Sequence, residues 1–144
     1  MKGIRVVWPA ARQVELQEFE LPPLKSGDVV IETEYSVISA GTEKAWLLGM
    51  PNTSQRFPQY PGYSAAGRIV DVGPGVNGLK VGDRVICYYT GHASHAVKPA
   101  ERVVRIDDPS ISTKEAAFFE IASIAMQGVR KARLELGESV MVMG

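Results

Sequence analysis

Residues 60–89 read YPGYSAAGRIVDVGPGVNGLKVGDRVICYY. A Pro61-Gly62 turn opens the stretch, and a β-branched run follows from Arg68 to Val72. The run breaks at Gly73-Pro74-Gly75, and a second strand enters at Arg84 through a Gly82-Asp83 turn. This is the punctuation of a small antiparallel barrel or open sheet. Within it, GPGVNG at 73–78 has the spacing of a dinucleotide-binding glycine loop. That loop requires its last glycine to open a helix whose free amides face a pyrophosphate, whereas here LKVGDRV follows and turns after four residues. Pro74 also removes one of the amides such a cradle would use. The segment therefore reads as a connection between two strands.

The surrounding composition suits one globular domain. The chain has 144 residues, 45% of them hydrophobic, and 16 basic residues balance 16 acidic ones. Without a run of either sign it lacks the basic footprint that nucleic acid or an anionic membrane surface requires. A single cysteine, Cys87, rules out an internal disulfide and a cysteine-based structural zinc site. The start, MKGIRVVWPAARQ, has no signal-peptide core, and no apolar run approaches about 18 residues. These features predict a cytoplasmic protein that partners neither nucleic acid nor membrane.

Taken in order, Ile4–Trp8 and Val14–Phe19 predict an amino-terminal hairpin, closed off by Pro22-Pro23. The longest strand candidate is VVIETEYSVISA, residues 29–40, with Val30, Glu32 and Glu34 on one face and Val29, Ile31, Thr33 and Tyr35 on the other. After it, Thr42 is placed to cap a short helix through Leu48. Further short strands are expected at His95–Val97 and Arg102–Ile106. A helix signal at Ser112/Thr113 with Glu115 then predicts one helix to Lys131, with Ala117, Ile121, Ile124, Ala125, Gly128 and Val129 on its apolar side. The last residues, SVMVMG, have the continuous apolar character of a strand buried in a parallel sheet. A chain stopping there leaves that strand without partners, which predicts that more chain follows.

In joint order, PLKSGDVVIETEYSVISAGTE, PGYSAAGRIVDVGPGVNGLKVGDRV, HASHAVKPAERVVRID and AAFFEIASIAMQGVRKARLELGESVMVMG resemble the amino-terminal, GroES-like domain of the medium-chain dehydrogenase/reductase superfamily. SAGTEK and PGYS are most similar to the branch holding bacteriochlorophyllide dehydrogenases and related zinc-type dehydrogenases. The resemblance implies a mainly β fold with peripheral helices, a partly open GroES-like barrel over residues 1–136. Residues 137–144 would begin a truncated Rossmann domain, with Gly144 as the first glycine of its NAD- or NADP-binding fingerprint. It implies an oxidoreductase acting on a small-molecule alcohol, carbonyl or activated alkene, with homo-oligomers formed through the nucleotide domain. The chain by itself would then be catalytically silent. Two other readings stay open: a stand-alone binding or assembly module, in which SVMVMG must pair within its own sheet or with a partner, and a zinc dehydrogenase with rearranged ligands that uses Glu120 and a histidine.

The resemblance also marks a departure. Where zinc members carry a cysteine and then a histidine followed by glutamate, this chain has Ala40, Tyr63 and Ser64. Catalytic zinc needs three protein ligands of nitrogen, sulfur or carboxylate type, and only Glu120 matches one of the family's ligand positions. The four-cysteine lobe is also missing. A zinc-free member is expected.

Thr42 then matches the family's proton-relay hydroxyl, with a helix cap as its structural alternative. Tyr63, in a ligand's place, could offer its phenol to a carbonyl or simply pack after the turn. Glu120, in the apolar run FFEIASIAM, either lines a cleft or pairs with an arginine. Ser123 matches a position that touches the nicotinamide in relatives, and otherwise bonds its own helix backbone. Glu43 could orient Thr42 or simply favour the helix start. Trp46, Leu47, Leu48, Phe57 and Tyr60 are candidates to wall an apolar substrate pocket. His92 and His95, three apart, point to opposite faces of a strand and read as solvated or hairpin-edge side chains.

Overall fold

The computed structural model describes residues 1–143. Gly144, the predicted first fingerprint glycine, lies outside them. Strands β1 (Lys2–Val7) and β2 (Glu15–Glu20) form the expected hairpin, pairing Ile4 with Glu18. The remaining strands, β3 (Asp28–Ser36), β4 (Ser64–Val72), β5 (Arg84–Tyr88), β6 (His95–Pro99) and β7 (Val103–Arg105), build one antiparallel sheet in the order β6-β3-β4-β5-β7. The sheet curls into the half-barrel of a GroES-like domain, mainly β with peripheral helices, as expected.

Period-two alternation sorts the side chains into two cores. Val29, Ile31, Ala65, Ile69, Val85, Cys87 and Val103 fill the inside of the curl. Ala66 and Ile86 face the other way, against Val37, Ala116 and Ala117. Burying each of the larger aliphatic side chains contributes about 1.5–3 kcal/mol. Burial also pushes the Cys87 thiol above its ordinary range, more than the Thr90 hydroxyl and the Lys98 charge draw it down, so the lone cysteine is a packed, protonated side chain. GPGVNG lies wholly in the connection between β4 and β5 and opens no helix. Its Pro74 carbonyl accepts from the Gly27 amide and the Ser26 hydroxyl, tying the loop to the turn before β3.

Five local expectations are corrected. Helix α1 (Ala40–Leu47) starts one residue after Ser39, so Thr42 sits inside its first turn and is not the cap. The cap role falls to Glu43, whose Oε1 accepts from the Ser39 amide at 2.9 Å. In β3 the alternation slips at a register shift between Val30 and Ile31, and Val29, Val30 and Ile31 are all buried. The single long helix is two: α2 (Thr113–Ala116), opened by the predicted Ser112/Glu115 capping box, and α3 (Phe119–Ala132). The Ser64 hydroxyl donates to the Ala117 carbonyl at this break, and Phe119 packs edge-on against Tyr88 with centroids 5.4 Å apart. Ile124 and Val129, expected on the apolar side of the helix, are exposed rather than core, as is Met126. Residues 139–143 form no strand, because no described strand lies beside them to complete the hydrogen bonds; Val140–Met143 are exposed. Among the described residues no helix is long and apolar enough to cross a membrane.

Candidate active site

A cleft of about 650 Å³ opens between α1 and the loop that leads into β4. Its walls are aromatic: Trp8, Trp46, Tyr60, Tyr63 and Tyr89, with Pro58 and Pro61 between them. The polar groups facing it are few: Thr42, Glu43, Ser54, Arg56 and Gln59. A largely apolar concavity with a handful of convergent polar groups is the usual form of a small-molecule site.

Each wall is held by a separate device. Trp8 follows β1 and exchanges two backbone hydrogen bonds with Gln59, each 2.9 Å, which fastens the loop to the hairpin. Tyr60 stacks under the Arg5 guanidinium at 4.2 Å. Arg5 also lies 5.1 Å from the Phe19 ring and is fixed by the Gln17 carbonyl oxygen at 2.8 and 3.0 Å. Tyr89, at the rim, adopts a left-handed backbone with φ 47°, and Lys98 donates to its carbonyl at 2.7 Å. Burial holds the Lys98 amine below its ordinary range.

Beneath the cleft floor lies a polar chain. His92 Nε2 is 2.9 Å from Glu43 Oε2, and His92 Nδ1 is 2.8 Å from Ser36 Oγ. The His92 and Glu43 side chains are each only 10% exposed. His92 is therefore no solvated edge residue, which corrects the sequence reading. It sits in the loop before β6, outside the strand, so the alternation argument does not reach it. Its amide donates to the Pro61 carbonyl and its own carbonyl accepts from Val6. Gly62, at φ 98°, makes room: a Cβ there would lie 2.6 Å from the His92 nitrogen. His95 turns elsewhere, with Nδ1 3.0 Å from Ser94 Oγ.

Thr42, Tyr63, Trp46 and Tyr60 thus come together around one cleft, from segments 40–47 and 58–63. Phe57 does not line it; Arg56 and Pro58 on either side face the cleft, and Phe57 between them is half-buried on the other side. Glu120 also lies apart. It shares a narrow crevice with Ser64, Ala65, Ile86, Cys87, Tyr88 and Phe119, pairs with no arginine, and its buried Oε2 has no hydrogen-bond partner. Ser123, one turn further along α3, is exposed. Sequence reasoning missed Trp8, Tyr89, Ser36 and His92. Only the glycine at 62, demanding close backbone approach, signalled that something packed there.

Among the described residues no three of His, Cys, Asp and Glu come together to hold a metal ion. Ala40 offers a methyl group and Tyr63 a phenol, and Glu120 lies in a crevice lined by neither histidine. This donor set does not fit a catalytic zinc.

Residues 25–128 match the model of the alcohol dehydrogenase GroES-like domain. The chain belongs to that family. This GroES-like domain is 33% identical over 143 residues to 2-desacetyl-2-hydroxyethyl bacteriochlorophyllide A dehydrogenase of Cereibacter sphaeroides, covering 87% of the chain and 44% of the relative. It superposes on 2R,3R-butanediol dehydrogenase from Bacillus subtilis with a TM-score of 0.81 at 20% identity, covering 95% of the chain and 49% of that structure. It also superposes on a zinc-binding-type dehydrogenase from Sinorhizobium meliloti bound to NADP, with a TM-score of 0.73 at 16% identity, covering 91% and 46%. The GroES-like domain therefore spans about half, or less, of the length of these relatives.

Proposed function

We propose that this chain is the substrate-binding domain of a zinc-independent, NAD- or NADP-dependent oxidoreductase that acts on an alcohol, carbonyl or activated alkene. The observation that carries the reading is the aromatic cleft, which holds hydroxyl donors at the family's reactive positions, while among the described residues no three His, Cys, Asp or Glu side chains come together to bind a metal ion. The exposed apolar residues of α3 and of 140–143 support the further reading that a nucleotide-binding domain packs there. Such a domain would bring the nicotinamide, which supplies the hydride. The chain's own residues have the other tasks. Trp46, Tyr60 and Trp8 bind and orient the substrate and exclude water. The Thr42 and Tyr63 hydroxyls supply hydrogen bonds to the oxygen on which negative charge develops. Arg56 offers a cation to an acidic substituent. The Cereibacter relative is named for a bacteriochlorophyllide, and a bulky ring-bearing substrate suits a cleft walled by two tryptophans and three tyrosines.

Two measurements test the reading. Metal analysis of the purified protein is expected to find zinc far below one ion per chain. One zinc per chain, lost on Glu120→Ala, would restore a metal mechanism. Titration with 1-naphthaldehyde is expected to quench tryptophan fluorescence, and Trp46→Ala should weaken binding on the order of tenfold, as loss of a central aromatic anchor does. Unchanged affinity in Trp46→Ala would remove the cleft as the substrate site.

A further inference from the structure

The Glu43–His92–Ser36 chain has two ends that open to different places. Glu43 lines the aromatic cleft, whereas Ser36 lines a separate surface depression of about 210 Å³ with Ile4, Leu16, Thr33 and Ser94. His92 lines that depression but not the cleft, and its imidazole joins Ser36 on one side to Glu43 on the other. The hydrogen-bond roles follow from the groups themselves. An ionised carboxylate only accepts, so Nε2 carries the proton and donates to Glu43 Oε2. A neutral ring then presents an unprotonated Nδ1, to which the Ser36 hydroxyl donates across 2.8 Å. Every donor faces an acceptor, and both Glu43 oxygens are engaged, Oε1 with the Ser39 amide and Oε2 with the ring.

We infer that Ser36, His92 and Glu43 form a proton path from the surface depression to the cleft, with Glu43 as the group that exchanges the proton with substrate. The inference rests on the oxidoreductase reading for the chemistry at its inner end. In reduction, hydride from the reduced nicotinamide leaves an alkoxide; the Glu43 carboxylate takes the His92 Nε2 proton and hands it on to that oxygen. As Nε2 gives its proton up, Nδ1 takes one from the Ser36 hydroxyl. Ser36 in turn takes one from water. One hydride and one proton enter; the ring is left as its Nδ1–H tautomer and regains the Nε2–H form by proton exchange with water before the next turnover, and oxidation runs the same path outward. Glu43 is the catalytic member, and His92 and Ser36 act through it. The other charged or titratable side chains near the ring are Arg5, His95 and Lys98, which line the adjoining groove with His92, and Glu34, which shares the depression and pairs with Arg68 at 2.8 Å. None of them is hydrogen-bonded to the two ring nitrogens.

Nitrogen-15 NMR of the histidine rings in the 144-residue chain tests the path without any turnover. Near neutral pH the His92 ring is expected in the Nε2–H form, its proton exchanging with water through Ser36. Ser36→Ala should slow that exchange on the order of tenfold with the amide spectrum otherwise preserved, and Ser36→Thr, which keeps the hydroxyl, should restore it. Exchange that is unchanged or faster in Ser36→Ala, or a ring protonated on Nδ1, would overturn the path. Loss of the oxidoreductase reading would show itself separately, as absence of nicotinamide-linked turnover in an enzyme form carrying a nucleotide-binding domain. In such a form that does turn over, Ser36→Ala should lower kcat on the order of tenfold with KM within about twofold. An unchanged kcat would overturn the catalytic use of the path.

Discussion

Gly67→Ala is expected to destabilise the fold by about 3 kcal/mol or more, the upper range for overpacking, because the conflict is with backbone. Gly67 faces Thr33 where β3 shifts register against β4, and the bulge brings the β3 main chain over it. A Cβ at this position would run into the Glu32 carbonyl oxygen and carbon and the Thr33 Cα. None of these can turn aside as a side chain could, so the two central strands must separate. The same substitution at Gly128, in the middle of α3 with nothing within 4 Å of the new methyl, should instead be neutral or add up to about 1 kcal/mol. Thermal unfolding of the two variants checks this. A Gly67→Ala protein melting within about 2 °C of the parent would mean that the strands are not so closely paired there.

His92→Leu should cost about 3 kcal/mol, close to 10 °C in Tm for a chain of this size. It removes the partner of a Glu43 carboxylate that is only 10% exposed and leaves the Ser36 hydroxyl without its nitrogen. Much of that cost is the uncompensated charge rather than the lost attraction. Neutralising the other end, in His92→Leu with Glu43→Gln, should therefore restore at least half of the lost stability. Glutamine can still accept the Ser39 amide through its carbonyl oxygen, as Glu43 Oε1 does. Purely additive effects in the double variant would show that the two side chains do not form one unit.

Stability and function meet at this site because the same groups serve both. Glu43 closes the start of α1 and faces the cleft; the His92 backbone donates to the Pro61 carbonyl and accepts from the Val6 amide while its ring joins Glu43 to Ser36. A substitution that impairs reactivity here is expected to lower Tm as well. The conservative pair Ser36→Ala and Ser36→Thr separates the two better than any change at His92.

Local signals in the sequence were enough for the sheet. Turn glycines, the Pro22-Pro23 stop and β-branched runs located β1 through β7 to within a few residues, because each depends on neighbours along the chain. The rejection of GPGVNG as a nucleotide loop rested on the same local logic, the absence of a following helix. The side chains at 40 and 63, a methyl group and a phenol, were also legible, since Ala40 and Tyr63 are what they are in any fold. Tertiary structure alone decided the rest. Thr42 lost its cap role because the helix starts three residues earlier than its hydroxyl suggests, a choice settled by Glu43 reaching back to Ser39. The apolar side of α3 was read correctly as a stripe, but a stripe does not say whether its partner lies in the same stretch of chain, and here it is exposed. His92 could not be read at all: its two partners lie 49 and 56 residues away, on α1 and at the end of β3. Only the folding of the hairpin, β3 and the loop before β6 onto one another brings a serine, a histidine and a glutamate into line, because hydrogen-bonded proximity across such separations is a property of topology rather than of spacing.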